Sequence, residues 1–197
     1  MAISCRFRVS EGNTFARPSQ GWIVTSGRAV TVPWISWAPE GDRIAYFART
    51  EKSRTLIIQN VLTGNIVERI EMRTVDEPES PDFSPDGKKI VFAGLQGGTG
   101  DIFEVDLASK QITNLTKDDF ADSAPMFSPD GKWVVYIARV SQNEKLFRLD
   151  LATGKKTQLT FGTHDDASAH FLDADTLVFP STATDPSQPI DPDVARN

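Results

Sequence analysis

His164 and His170 stand six residues apart in Thr163-His-Asp-Asp-Ala-Ser-Ala-His170, beside Asp165 and Asp166. Imidazole and carboxylate together are zinc-ligand chemistry, but only where the fold brings them within about 2.0–2.2 Å of one ion. A surface loop followed by a half-exposed strand residue accounts for them equally well, so no metal is assigned. Cys5 is the single cysteine, which excludes an internal disulfide and a cysteine-based metal cluster. Gly-x-Ser-x-Gly is absent, so no nucleophile of the α/β-hydrolase type is encoded in these residues. Gly94-Leu-Gln-Gly-Gly-Thr-Gly100 has the glycines of a phosphate loop. It falls between two strand-like runs with no helix to open, and predicts a hairpin loop instead of an anion cradle.

Acidic segments are the stronger lead. Asp76 and Glu77 lie in Thr74–Ser80, Asp118, Asp119 and Asp122 in Lys117–Ser123, and Asp165 and Asp166 in Gly162–Ser168. Clustered carboxylates attract a basic peptide or a hard cation such as Ca²⁺. They also serve locally, accepting backbone N–H groups as Asx turns do, or simply keep a face solvated. The elements that carry them decide between these uses.

Those elements repeat. Trp37, Phe83, Phe127 and Phe171 are spaced 46, 44 and 44 residues apart, each followed by an apolar strand-like run. Between aromatic and run stand Ala38-Pro39-Glu40-Gly41, Ser84-Pro85-Asp86-Gly87 and Ser128-Pro129-Asp130-Gly131, while the fourth copy lacks Pro and Gly. Pro presets φ at the second turn position, Asp tolerates the third, and Gly accepts the positive φ that follows, so each phrase predicts a tight hairpin turn with a bulge. Asn60-Val-Leu-Thr-Gly64, Asp106-Leu-Ala-Ser-Lys110 and Asp150-Leu-Ala-Thr-Gly154 recur in phase. Lys110 stands where the others place glycine, which predicts a strained turn or one of another type.

Ile90-Val-Phe-Ala93 and Trp133-Val-Val-Tyr-Ile137 are apolar on successive residues, so both faces of their sheet must be covered. Each period contains four strands and no helical segment. The predicted fold class is therefore all-β, a propeller of four-stranded antiparallel blades stacked around an axis. A two-layer sandwich would leave each sheet one wet face and an alternating pattern. The expected divisions are an extension over 1–20, repeats over 21–180 and a Pro/Asp-rich tail over 181–197. Blades fall near 34–76, 80–120 and 124–164, with an incomplete one at 168–180.

The run Phe-Ser-Pro-Asp-Gly-Lys followed by an apolar strand, then Asp-Leu-Ala-Thr-Gly-Lys and Leu-Thr before an acidic loop, resembles the TolB-like propeller repeat over about residues 34–180. The family includes a periplasmic component of a bacterial envelope system and the amino-terminal propellers of prolyl-oligopeptidase-like and tricorn-like proteases. The resemblance implies a periplasmic or otherwise exported protein. Two functions are open. One is a non-enzymatic scaffold or protein-binding module using loops at one rim of the disc. The other is the propeller domain of a larger protease, gating or positioning its substrate, with the catalytic domain outside this chain.

Six or seven blades need roughly 260–310 residues, and this chain has 197. After Phe179 the segment Pro180–Asn197 contains four prolines and no apolar strand, so the outer pair of the fourth blade is missing there. Trp22–Thr25 and Arg28–Val32 read as a hairpin. It either closes a small four-bladed ring by pairing with the last repeat or belongs to a partial propeller. A partial propeller is expected to show bare apolar faces on its end blades and a tendency to self-associate.

Composition narrows the partners. A net charge of −6 and a pI near 5.0 argue against nucleic acid, whose affinity comes from Lys and Arg on phosphates. No stretch approaches the roughly 20 apolar residues of a membrane-spanning helix, and the start, Met1–Ser10, has no apolar signal region. A protein or peptide is the expected partner, and no cofactor is expected.

Overall fold

The structure is a computed structural model that describes residues 3–4, 21–25, 28–32, 34–49, 53–167 and 169–183, the first three of these segments as backbone only. Cys5, most of the amino-terminal extension and the tail from 184 onward lie outside the described residues.

The turn that recurs in the sequence recurs in space with the same hydrogen bonds. Gly87 N–H donates to Ser84 O and Gly131 N–H to Ser128 O, each at 2.9 Å. Ser84 Oγ donates to Asp86 Oδ1 (2.6 Å) and Ser128 Oγ to Asp130 Oδ1 (2.7 Å). The same carboxylate oxygens accept the N–H groups of Lys88 and Lys132, both at 3.1 Å. Gly41, Gly87 and Gly131 have φ of 78°, 68° and 71°, a region that disfavours any residue with a Cβ by about 1–2 kcal/mol.

Each turn joins the first two strands of a blade. Strands β1 (Ile3–Ser4), β2 (Gly21–Thr25) and β3 (Arg28–Val32) form a small sheet of their own. The first blade orders β4 (Ile35–Trp37), β5 (Arg43–Arg49), β6 (Arg54–Asn60) and β7 (Ile66–Glu71). The second orders β8 (Asp76–Phe83), β9 (Lys89–Gln96), β10 (Thr99–Asp106) and β11 (Ile112–Asn114). The third orders β12 (Asp122–Phe127), β13 (Trp133–Val140), β14 (Asn143–Asp150) and β15 (Lys156–Gln158). Among the described residues a fourth repeat supplies β16 (His170–Phe171) and β17 (Leu177–Val178), paired with each other.

Successive side chains on a strand point to opposite faces, and β9 shows why its apolar run is continuous. Ile90 and Phe92 join Leu56, Ile58 and Ile70 of the first blade. Val91 and Ala93 join Phe127, Val134 and Tyr136 of the third. Every one of these residues is buried. The aromatic rings mesh at the first junction, with Phe92 5.3 Å from Phe47 and 5.6 Å from Phe103. Val135, Ile137 and Leu146 of the third blade pack against Ala169, Phe171, Leu177 and Phe179 of the fourth repeat.

Strands stacked in this way make an all-β partial propeller. The hairpin β2–β3 is present as expected, but it pairs with β1 instead of β16–β17, so among the described residues the sheets do not close into a ring. The end blades are less bare than a partial propeller suggests. Ile44, Tyr46 and Ile57 on the first blade are buried, with β3 approaching β5, and β16–β17 covers the third blade. Exposed apolar groups remain on the fourth repeat, where Leu172 is 73% and Val178 56% exposed.

Local details follow the chemistry of the turns. Gly97 and Gly98, with φ of 67° and 93°, form the two-residue turn between β9 and β10, so the glycine-rich stretch is a hairpin. Lys110 does take the left-handed conformation of its glycine counterparts, with φ of 63° against 73° at Gly64 and 72° at Gly154. Residues 117–121 and 162–167 lie outside the named strands as expected, but the first acidic segment and Asp122 do not. Asp76–Ser80 already belongs to β8, whose ladder shifts register twice around Glu79, with positive φ at Glu77 and Ser80. Asp122 likewise opens β12. Prolines at 78, 81 and 125 remove ladder donors there, which is why the pattern reads as loop.

Candidate functional site

Strands β8 and β12 run from an acidic beginning to an aromatic end. At about 3.3 Å per residue the two ends lie some 20 Å apart, and they make two different surfaces.

At the aromatic end the strands surround a cavity of about 630 Å³. Its wall takes the same step from four successive repeats: Trp37 and Pro39, Phe83 and Pro85, Phe127 and Pro129, and Phe171. All four lead aromatics that reveal the period in the sequence therefore face one space. Between them stand Asp82, Met126 and His170, each the residue immediately before its aromatic. Sequence reasoning passes over this slot because its residue type changes from blade to blade. The available signal is its fixed place beside a repeated aromatic.

The slot also ties the blades together. Ser36 Oγ accepts Phe83 N–H at 3.0 Å and donates to Asp82 Oδ1 at 3.1 Å. Asp82 Oδ2 accepts Phe127 N–H at 2.9 Å. Asp82 in the wall thus links the inner strands of three successive blades.

At the acidic end most of the predicted carboxylates already have cationic or amide partners. Arg54 reaches Asp76 Oδ1 at 3.0 Å and Glu77 Oε1 at 2.8 Å, and Arg49 reaches Glu77 Oε2 at 3.1 Å. The Arg54 hydrogen bond holds Glu77 below the usual carboxylate range. Asp118 pairs with Lys156 at 2.5 Å. Asp165 Oδ1 accepts Glu144 N–H at 3.0 Å and Asn143 Nδ2 at 3.2 Å, and the backbone bond chiefly lowers its pKa. Asp166 is fully buried and bonded to the Lys145 ammonium at 2.9 Å. Burial acts to raise its pKa, but hydrogen bonds from Lys145, Ser181 and Thr160 outweigh this and hold it low. Asp122 is buried as well, while Asp119 and Phe120 are exposed.

The histidines separate. His164 sits at the acidic end with Nε2 3.5 Å from Asp166 Oδ1, and His170 lies in the cavity wall. Among the described residues no three His, Cys, Asp or Glu side chains are grouped to hold a metal ion. The predicted turn residues Pro39, Gly41, Pro85, Asp86, Gly87, Pro129, Asp130 and Gly131 build the hairpins that carry the cavity rim. No helix among the described residues is long and apolar enough to cross a membrane.

Known proteins place this architecture. The chain is similar to TolB from Acinetobacter baumannii, with 25% identity and a TM-score of 0.64 over 83% of this chain and 44% of that one. It is similar in fold to a putative TolB from Agrobacterium tumefaciens, with 18% identity and a TM-score of 0.58 over 71% and 60% of the two chains. The tricorn protease shares the fold at 18% identity and a TM-score of 0.57, over 83% of this chain and 17% of that one. The chain thus spans about half the length of the TolB structures it matches. No curated protein matches it. A family profile, that of the TolB beta propeller domain, matches residues 19–193, and the chain belongs to that family.

Proposed function

We propose that the chain is a non-enzymatic protein-binding module that takes a peptide segment of its partner into the cavity at the aromatic end. The observation that carries this reading is the convergence of four lead aromatics, with Asp82 and His170 among them, on one concave space. Concave, mostly apolar surfaces with a few placed polar groups are what peptide anchors fill, and aromatic residues dominate such contacts. An extended segment with an apolar anchor and a hydrogen-bond donor fits this wall. By family resemblance the setting is the periplasm or another exported compartment.

A second reading keeps the acidic end as a site for a basic segment, favoured by the exposure of Asp119 beside Phe120, which is 40% exposed. Pairing of Asp76, Glu77, Asp118 and Asp166 with arginine and lysine leaves less charge there to attract it.

Selection of a random-peptide phage library on the immobilised chain separates the two. Selected peptides should lose binding to Met126→Arg, which fills the cavity, and keep it on Asp119→Lys. Peptides that tolerate the arginine and are lost on Asp119→Lys would move the site to the acidic end. A library yielding no binders would remove the peptide-binding reading.

A further inference from the structure

The blade junctions solve one electrostatic problem in different ways. Asp101 pairs across its hairpin with Gly94, and Lys145 with Ala138, so the two occupy the same position in successive blades. Thr116 and Thr160 also correspond, each accepting the backbone N–H of the next strand position (Ile102 and Leu146) at 3.0 Å. Asp122 and Asp166 both stand five residues before their lead aromatics. At the junction of the third blade with the fourth repeat, this set contains the buried Lys145–Asp166 ion pair. At the first junction the position five residues before Phe83 is Pro78, so no carboxylate stands there, and the exposed Asp76 pairs with Arg54. At the second, the lysine position is held by a carboxylate.

The consequence falls on Asp122. It is 4% exposed, and among the described residues neither carboxylate oxygen has a hydrogen-bond partner in bonding geometry, the nearby Thr116 hydroxyl being directed to Asp101. Asp101 is also buried, with its oxygens turned to Asn114 Nδ2 at 2.9 Å and Thr116 Oγ1 at 3.3 Å. The nearby ammonium of Lys156 is bonded to Asp118 and to the Thr116 carbonyl. The groups that act on Asp122 are thus Asp101 on β10, Thr116 and Asp118 on the connecting segment, and Lys156 on β15, while Tyr136 on β13 feels its charge. An unpaired carboxylate in so dry a place is strongly disfavoured. A proton neutralises it without the ligand set a metal would need.

We propose that Asp122 is a proton-operated latch between the second and third blades, tight while the carboxyl keeps its proton and loosened when the proton leaves to water. Burial, first of all, pushes Asp122 up to about 7, with Asp118 and Asp101 adding to the rise and Thr116 and Lys156 opposing it. An unfolded aspartate ionises near pH 4. Between these values the folded chain binds more protons than the unfolded one, so stability falls as pH rises, and the loss is complete above about 7.

The test is denaturant unfolding of the full chain from pH 5 to pH 8 in EDTA, for the native sequence, Asp122→Asn and Asp101→Lys. The native unfolding constant should rise, relative to Asp122→Asn, by up to about tenfold per pH unit between pH 5 and 7. Asp101→Lys installs the arrangement of the next junction and should abolish that rise. If Asp122→Asn does not fold, the native and Asp101→Lys curves decide the matter alone. Parallel curves would overturn the proposal, and so would a native curve flattened by excess Ca²⁺, which would put a metal ion in place of the proton.

Discussion

The Asp82 carboxylate accepts the backbone N–H of Phe127 at 2.9 Å, joining the inner strands of neighbouring blades across 45 residues. The residue before one lead aromatic thereby holds the next lead aromatic in place, as Ser36 does for Phe83. Asp82→Ala leaves the Phe127 N–H without that acceptor and should destabilise the chain by about 1–3 kcal/mol. Asp82→Asn, which keeps a carbonyl oxygen, should lose less. Urea unfolding of the two variants checks the order.

Lys145 and Asp166 form an ion pair with side chains only 2% and 1% exposed. Removing one partner leaves a buried charge uncompensated, so Lys145→Met alone should destabilise by about 3–5 kcal/mol. The double variant Lys145→Met/Asp166→Leu removes both charges and should recover most of that loss. A double-mutant cycle measures the difference.

The Ser128 hydroxyl, with the Lys132 N–H next in importance, holds Asp130 down to about 2. A lowered carboxylate pKa contributes stability that is present above the unfolded value near 4 and lost as pH falls through the folded one. Acid unfolding should therefore steepen between about pH 4 and 2, and Asp130→Asn should flatten that part of the curve. Circular dichroism along an acid titration is the readout.

Lys110 occupies a left-handed position that Gly64 and Gly154 fill in the other blades. Lys110→Gly relieves a strain of about 1–2 kcal/mol but removes the pair with Glu68 at 2.5 Å. That pair is partly exposed, so its contribution is at most about 1 kcal/mol. The net outcome should be a modest stabilisation, visible as a higher midpoint in thermal unfolding.

Much of the architecture was legible because each repeat states it again. Four aromatics at near-constant spacing, and a Pro-Glu-Gly or Pro-Asp-Gly turn before each full apolar strand, leave little freedom in strand order. The fate of the acidic residues was not legible. Their partners Arg54, Lys145 and Lys156 lie on other strands, and only the register of β6, β14 and β15 brings the charges together. The cavity was hidden for a different reason. Asp82, Met126 and His170 share no chemistry, so no motif marks them, and their common role appears only when the inner strands converge.

If partners enter at the aromatic end, as proposed, the cavity rim is where they can be trapped. A photo-crosslinking amino acid placed at Pro85, on the rim of the cavity, or at Phe120, at the acidic end, tests it in a native extract. A partner should be captured from position 85, and Met126→Arg should abolish this capture, with nothing specific retained at position 120. Capture of the same partner from position 120, unaffected by Met126→Arg, would contradict it.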